Sequence, residues 1–186
     1  MTHLENLREG IADPMRDIRL NLQTVLAAGG ALDAAQRWGV ALASAAAARH
    51  PELTQAVLEA ARAESSDAVI DDALAAAALM AMNNVYYRFR HLIEKPSYSD
   101  MPARLRMTRI ARPATNKADF ELFCLAVSAI NACEACLRAH EEAVLAAGLS
   151  ENHVHDAVRI AATLNAAAVS LELSALSRET APQEAR

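Results

Sequence analysis

Two cysteines lie three residues apart at Cys133 and Cys136, and His140 follows four residues after the second of them. On a helix these three positions share one face, so the thiols and the imidazole can interact. Cys133 would lie at the helix N-terminus, where the helix dipole and free N–H groups favour a thiolate, and Asn131 is the predicted cap. A thiolate available near neutral pH is what redox chemistry requires.

The residue pattern alone leaves three interpretations of the cysteine pair open. The pair could be two small core residues on an alanine-rich helix. It could bind zinc, although a closed zinc site needs four ligands and Cys133, Cys136 and His140 supply three. It could be a redox dithiol, which the C-x-x-C spacing in a chain with an odd number of cysteines favours.

Glu121 lies twelve residues before Cys133, among large apolar residues. A carboxylate in such surroundings either points into water or has a partner, and both interpretations remain open. In the functional one it faces His140, directly or through a water molecule, and helps the imidazole to accept a proton. Cys124 is interpreted as an inert buried thiol. No chemistry is assigned to the other histidines, which are His3, His50, His91, His153 and His155.

The composition predicts closely packed helices around these residues. Apolar residues make up 53% of the 186-residue chain, much of it alanine, and aromatic residues only 4%. The net charge of −5 comes without a basic stripe, so we expect no nucleic-acid partner. We see no signal peptide and no apolar run of the about 20 residues that a membrane span needs. We therefore expect a soluble, cytoplasmic protein without a membrane partner.

Proline, glycine and capping residues divide the chain into predicted helices, and residues 179–186 are expected to fray. The helices are predicted over residues 14–26, 31–49, 51–63, 66–93, 116–130, 133–147 and 150–177, with a short one after residue 102. Residues 66–85 match residues 150–169 at six of twenty positions, Asp72 and Asp156 among them. This weak repeat predicts two related helical halves, roughly 31–93 and 116–177, with a scaffold in the first and the chemistry in the second.

The spacing of Glu121, Cys133, Cys136 and His140 resembles the signature of the alkyl hydroperoxidase D (AhpD) family, within the carboxymuconolactone decarboxylase-like superfamily. Similar segments occur in the same order along nearly the whole chain, at residues 17–22, 81–88, 120–123 and 126–131. The resemblance implies an all-α, AhpD-like fold in one domain over residues 1–186, a homotrimer, and no bound cofactor.

The resemblance also implies an activity with partners. It implies an antioxidant peroxidase that reduces organic hydroperoxides and regenerates the peroxiredoxin AhpC. Electrons are expected from the lipoyl group, as dihydrolipoamide, of a dihydrolipoyl acyltransferase that lipoamide dehydrogenase recharges. By position, Cys136 would form the sulfenic acid, and Cys133 would be its disulfide partner and proton donor. Glu121 and His140 would be the proton relay.

The interior of the motif departs from some members of the family. Those members have a histidine between the cysteines, whereas this chain has Glu134 and Ala135. The charge of Glu134 would disfavour a thiolate at Cys133 and alter rates rather than the class of reaction. An alternative function is a redox sensor or scaffold with little peroxidase activity. A decarboxylase of the wider superfamily is disfavoured, because those enzymes do not depend on a redox C-x-x-C.

Overall fold

The computed structural model describes residues 1–179, and within them every regular element is a helix. The all-α prediction is confirmed, while residues 180–186 of the predicted domain, and with them the fraying, lie outside the described part. The helices are α1 His3–Glu9, α2 Arg16–Leu26, α3 Ala34–Ala47, α4 Pro51–Glu64, α5 Asp67–Ile93, α6 Pro96–Asp100, α7 Thr108–Ala111, α8 Lys117–Ile130, α9 Glu134–Ala146 and α10 Glu151–Glu179.

Two short helices, α1 and α6, were not predicted. Thr2 and Glu5 form a capping box that marks the start of α1. The helix that follows is too short to show the apolar periodicity by which longer helices are predicted. The helix predicted from residue 14 begins instead at Arg16, because the segment Asp13–Met15 forms a separate turn of 3₁₀-helix. These differences lie at the N-terminus and in the link between the halves of the chain.

Two runs of three helices form the body of the protein, α3–α4–α5 (the first unit) and α8–α9–α10 (the second unit). Helices α3, α5, α8 and α10 make the central layer, in which α3 and α8 pack against each other. They approach closely at Gly39, where an added Cβ would lie 2.1 Å from the ring of Phe123. Phe120 and Phe123 are fully buried core residues, and the ring of Phe123 lies between the units at this contact.

Each long helix also holds the loop that leads into the other unit. Asp72 on α5 is fully buried and accepts hydrogen bonds from Arg109 Nε at 2.7 Å, from the backbone N–H of Ala114 at 3.0 Å and from both N–H and Oγ1 of Thr115 at 2.7 Å. Burial alone would raise the pKa of the Asp72 carboxyl, but these donors together hold it below its usual value.

Asp156 on α10 holds the loop before α3 in the same manner. Its Oδ2 accepts from the N–H of Ala31 at 2.8 Å and its Oδ1 from Arg159 at 2.9 Å. The Ala31 hydrogen bond lowers the pKa of this carboxyl too. Gly30 is needed here, because an added Cβ would lie 2.5 Å from Asp156 Oδ2. These two contacts support the predicted repeat, which stays a prediction.

Helices α5 and α10 each contain an apolar stretch long enough to cross a membrane, with mean hydropathies of 1.3 and 1.4. About half of each stretch is buried inside the protein, 50% and 44%. Their inner faces pack on α3 and α8. Long core helices of soluble proteins pass the same test of length and hydropathy.

Candidate active site

A sharp turn between α8 and α9 places the first cysteine. Ala132 takes the left-handed conformation with a φ of 51°, and the N–H of Cys133 then donates to the carbonyl of Ser128 at 3.2 Å. This is the hydrogen-bond pattern of a Schellman motif, in which a left-handed residue closes the end of a helix. The turn reverses the chain so that α9 packs back on α8.

The N-cap of α9 is Cys133 itself, and no side chain caps the helix there. The prediction that Asn131 caps α9 is therefore wrong. Asn131 ends α8 instead, and its side-chain amide donates to Asn84 Oδ1 on α5 at 3.0 Å. With no side chain occupying the free N–H groups of the first turn, the helix dipole acts directly on Cys133.

Cys133 and Cys136 are joined by a disulfide bond, with their Cα atoms 5.3 Å apart. Cys133 is fully buried, whereas 7% of the surface of Cys136 is exposed. Of the two residues, Cys136 is therefore the one that a reagent can reach from solvent. His140 follows Cys136 by four residues on α9, which is about one helical turn.

Glu121 on α8 faces His140. The Oε2 atom of Glu121 lies 2.6 Å from Nδ1 of His140, and the two side chains retain only 7% and 12% of their surface. Of the two interpretations that the sequence left open for Glu121, the structure selects the partnered carboxylate. A carboxylate at this distance fixes the orientation of the imidazole ring.

The second ring nitrogen of His140 also has a partner, which the sequence had not pointed to. Nε2 lies 3.2 Å from the sulfur of Met80, a fully buried residue of α5. The side chain of Asn84, one turn further along α5, contacts the same sulfur at 3.8 Å and donates to Ser128 Oγ at 2.9 Å. In the sequence, the signal for this contact face of α5 is the polar Asn84 within an otherwise alanine-rich helix.

A model of the Carboxymuconolactone decarboxylase family matches residues 96–178. The chain is 64% identical over 174 residues to the alkyl hydroperoxide reductase AhpD of Anaeromyxobacter sp. (strain K), which covers 94% of this chain and 93% of that protein. The chain belongs to the AhpD family. The AhpD proteins of Rhodopseudomonas palustris (strain BisB18) and Solibacter usitatus (strain Ellin6076) are 48% and 44% identical over 92% of this chain, covering 94% and 97% of those proteins.

The resemblance that the motif indicated is thereby confirmed, and the departure from some AhpD sequences inside the motif can be placed. Glu134 is exposed, forms an ion pair with Arg138 at 2.7 Å and lies 3.5 Å from Nε2 of His91. The hydrogen bond from Arg138 lowers the pKa of the Glu134 carboxyl, so this residue stays ionised. The cationic Arg138 compensates its charge, which weakens the predicted effect on a thiolate at Cys133.

The third cysteine of this AhpD chain, Cys124, is not part of the disulfide and has a different environment. Cys124 is a free thiol, fully buried on α8 one turn after Glu121. Burial, and then the charge of Glu121, raise the pKa of the Cys124 thiol well above its usual value. The expectation of an inert buried thiol fits this environment. Within residues 1–179 no cluster of three or more His, Cys, Asp or Glu side chains could hold a metal ion.

Proposed function

We propose that this protein is a thiol peroxidase that reduces alkyl hydroperoxides through Cys133 and Cys136. One observation carries the proposal: a disulfide at the start of α9, one turn from His140, which contacts Glu121 at 2.6 Å. Curated relatives that share 44–64% of their residues with the chain are named alkyl hydroperoxide reductase. Such a pair couples a nucleophilic sulfur to a group that can move its proton.

The catalytic cycle balances with these residues alone and one dithiol donor. The Cys136 thiolate attacks the terminal peroxide oxygen, the O–O bond breaks, and the alkoxide leaves as an alcohol with a proton from the His140–Glu121 pair. The pair then takes a proton back from solvent before the disulfide is reduced. The Cys133 thiol then attacks the sulfenic acid at Cys136, which releases water and forms the disulfide. The donor dithiol reopens the disulfide by two exchange steps and leaves as its own disulfide.

The unequal exposure of the two sulfurs supports their unequal roles. Cys136 retains 7% of its surface and Cys133 none, so peroxide and donor can approach Cys136 more readily than Cys133. A donor thiolate that attacks Cys136 makes a mixed disulfide there and expels Cys133 as a thiolate. The start of α9 stabilises that thiolate until it is protonated.

The deciding experiment is peroxide consumption with an alkyl hydroperoxide and dihydrolipoamide. We expect Cys136→Ser to abolish turnover, while Cys124→Ala, the matched change at a cysteine outside the pair, leaves it intact. Full activity in Cys136→Ser would contradict the proposal. If peroxide oxidises the pair to the disulfide but no dithiol supports turnover in the wild type, the protein is the redox sensor rather than the peroxidase.

We further propose that the electrons come from the lipoyl group of a dihydrolipoyl acyltransferase, recharged by lipoamide dehydrogenase, and that AhpC is the peroxiredoxin regenerated. The family resemblance supports both partners, and a centre that must be reduced in every cycle belongs in a reducing, cytoplasmic compartment. We expect dihydrolipoamide to support a far higher rate than reduced thioredoxin or glutathione. Equal rates with all three donors would remove the lipoyl assignment.

We also propose a homotrimer, the assembly that the resemblance implies. An apolar stripe on the outer face of α5 supports it, comprising Leu74, Val85, Phe89 and Leu92, all exposed in the single chain. Sedimentation equilibrium should give three chain masses for the wild type and a smaller mass for Val85→Ser. The same change at the exposed Leu20 on α2 should leave the mass unaltered. A wild-type monomer would contradict the assembly.

A further inference from the structure

The two partners of the His140 ring determine where its protons are. Glu121 meets Nδ1 at 2.6 Å and Met80 meets Nε2 at 3.2 Å. A thioether sulfur can accept a hydrogen bond but has no proton to donate. The Nε2 atom must therefore carry a proton for the contact with Met80 to be favourable.

This assignment sets the proton content of the whole pair. Either both ring nitrogens are protonated beside a Glu121 carboxylate, or Glu121 carries the proton and Nε2 the other. Both arrangements hold one proton more than a neutral imidazole whose Nδ1–H donates to an ionised Glu121. In the disulfide state the relay thus carries the proton that a newly released cysteine thiolate will need.

We propose that Met80 is a positioning residue, whose sulfur accepts the Nε2–H of His140 and keeps the relay loaded with a proton while the cysteines are oxidised. The inference rests on the proposed function, because it assigns Met80 to the proton step of that same centre. Met80 is fully buried, so its sulfur is not hydrated and is available to the imidazole.

The place of the Met80 sulfur is fixed by a second contact. Asn84 donates towards that sulfur at 3.8 Å and to Ser128 Oγ at 2.9 Å, and its Oδ1 accepts from Asn131 at 3.0 Å. Arg88, one further turn along α5, donates to the carbonyl of Asn131. Met80, Asn84 and Arg88 are spaced by four residues, so one edge of α5 connects His140 to the turn before Cys133.

The direct test is the protonation of the His140 ring, measured by ¹⁵N NMR on the oxidised protein at neutral pH. The wild type should show a protonated Nε2. Met80→Leu removes the acceptor at similar volume, so its Nε2 signal should move towards the unprotonated position. Met82→Leu, the same change two residues along α5, should leave the signal in place. An unchanged His140 spectrum in Met80→Leu overturns the proposal.

The kinetic test separates positioning from packing. We expect Met80→Leu to lower kcat for disulfide reduction by dihydrolipoamide about fivefold with little change in KM, the effect of one lost hydrogen bond. Met80→Gln should recover much of kcat and the protonated Nε2, because its side-chain oxygen can accept. If Met80→Gln is as slow as Met80→Leu and both melt earlier, Met80 acts by packing alone.

A wild type without peroxide turnover would contradict the proposed function and not the contact between Met80 and His140. The ring spectrum needs no substrate and decides that contact in the same samples. Conversely, full turnover in the wild type together with an unchanged spectrum in Met80→Leu would retain the peroxidase and reject the role of Met80.

Discussion

The first and second units share an order of helices but differ in the side chains that their first two helices carry at matching positions. The N-caps Asp33 and Asn116, and those of α4 and α9, His50 and Cys133, lie 83 residues apart. At that offset, the places of Glu121, Cys136 and His140 are taken in the first unit by Trp38, Leu53 and Val57. The helical frame therefore needs no polar residues at these positions, which is consistent with their proposed role in chemistry in the second unit.

The comparison also shows that the first unit is more than a scaffold. Helix α9 packs on α5 as well as on α8, so the first unit contributes Met80 and Asn84 to the surroundings of His140. A site built between two units can place a buried carboxylate and an imidazole against partners from both sides. Burial without such partners would destabilise both groups.

The largest effect should follow from removing the imidazole, which makes the second unit as inert as the first. We expect His140→Gln to lower turnover about 1,000-fold, because the proton relay is lost while an amide can still donate to Glu121. The melting temperature should change little. His155→Gln, at an exposed histidine of α10, is the control, and a rate within twofold of wild type in His140→Gln would refute the relay.

The two aspartates that hold the loops, Asp72 and Asp156, should contribute unequally to the free energy of unfolding. Asp72→Asn should lower the free energy of unfolding by about 3 kcal/mol, because it strips a buried carboxylate of its charge opposite Arg109. Asp156→Asn, at a less buried carboxylate with one backbone donor, should cost about 1 kcal/mol. Urea unfolding of both variants measures the difference, and equal losses would mean that the two loops are held alike.

Acid should reduce the stability that the charge of Asp72 contributes. The pKa of Asp72 is lower in the folded protein than its usual value of 3.8, so its charge stabilises the fold above that pH. The contribution falls as the pH drops below about 4 and through the folded-state pKa. The gap in unfolding free energy between wild type and Asp72→Asn should therefore narrow from pH 5 towards pH 3, and a gap that widens would reverse the assignment.

The contact between Gly39 on α3 and Phe123 on α8 should couple the stability effects of changes at the two residues. Gly39→Ala should destabilise the protein by about 2 kcal/mol, because its Cβ would lie 2.1 Å from the Phe123 ring. Adding Phe123→Leu to Gly39→Ala should make the cost of the alanine smaller than it is beside Phe123. A double-mutant cycle measured by urea unfolding gives the coupling, and purely additive effects would show that the two residues do not interact.

The smallest effect is expected at the residue that distinguishes this C-x-x-C from some of its relatives. Glu134→Gln removes a negative charge beside Cys133 and frees Arg138, so the thiolate fraction of the reduced pair should rise. Because Arg138 already pairs with Glu134 on the surface, turnover should change by less than about threefold. Alkylation rates against pH measure the thiolate, with Glu141→Gln as the control. A tenfold change would show that the compensation is ineffective.

The sequence predicts most of this fold because its helix boundaries are local. Pro51, Asn116 and Gly148 mark ends that the structure places within a residue or two of the expected positions. The helices α1 and α6 were missed because seven and five residues give too short an apolar pattern.

The site was predictable to the extent that its spacing lies on one helix. Cys133, Cys136 and His140 needed only the helical repeat. The contact between Glu121 and His140 depends on how α8 packs on α9, which a spacing of nineteen residues does not determine. Met80 lies sixty residues before His140 in the chain, and only the packing of α5 on α9 brings them together.

The buried thiol of Cys124 has a practical consequence if the other two cysteines change partners in every cycle, as proposed. A third accessible thiolate near them could exchange into wrong disulfides, but its burial and raised pKa keep Cys124 out of that competition. Because it does not react in the folded protein, Cys124 can also serve as an internal probe of global unfolding. A thiol-labelling reagent should modify it only when the native packing opens, independently of the redox state of the pair.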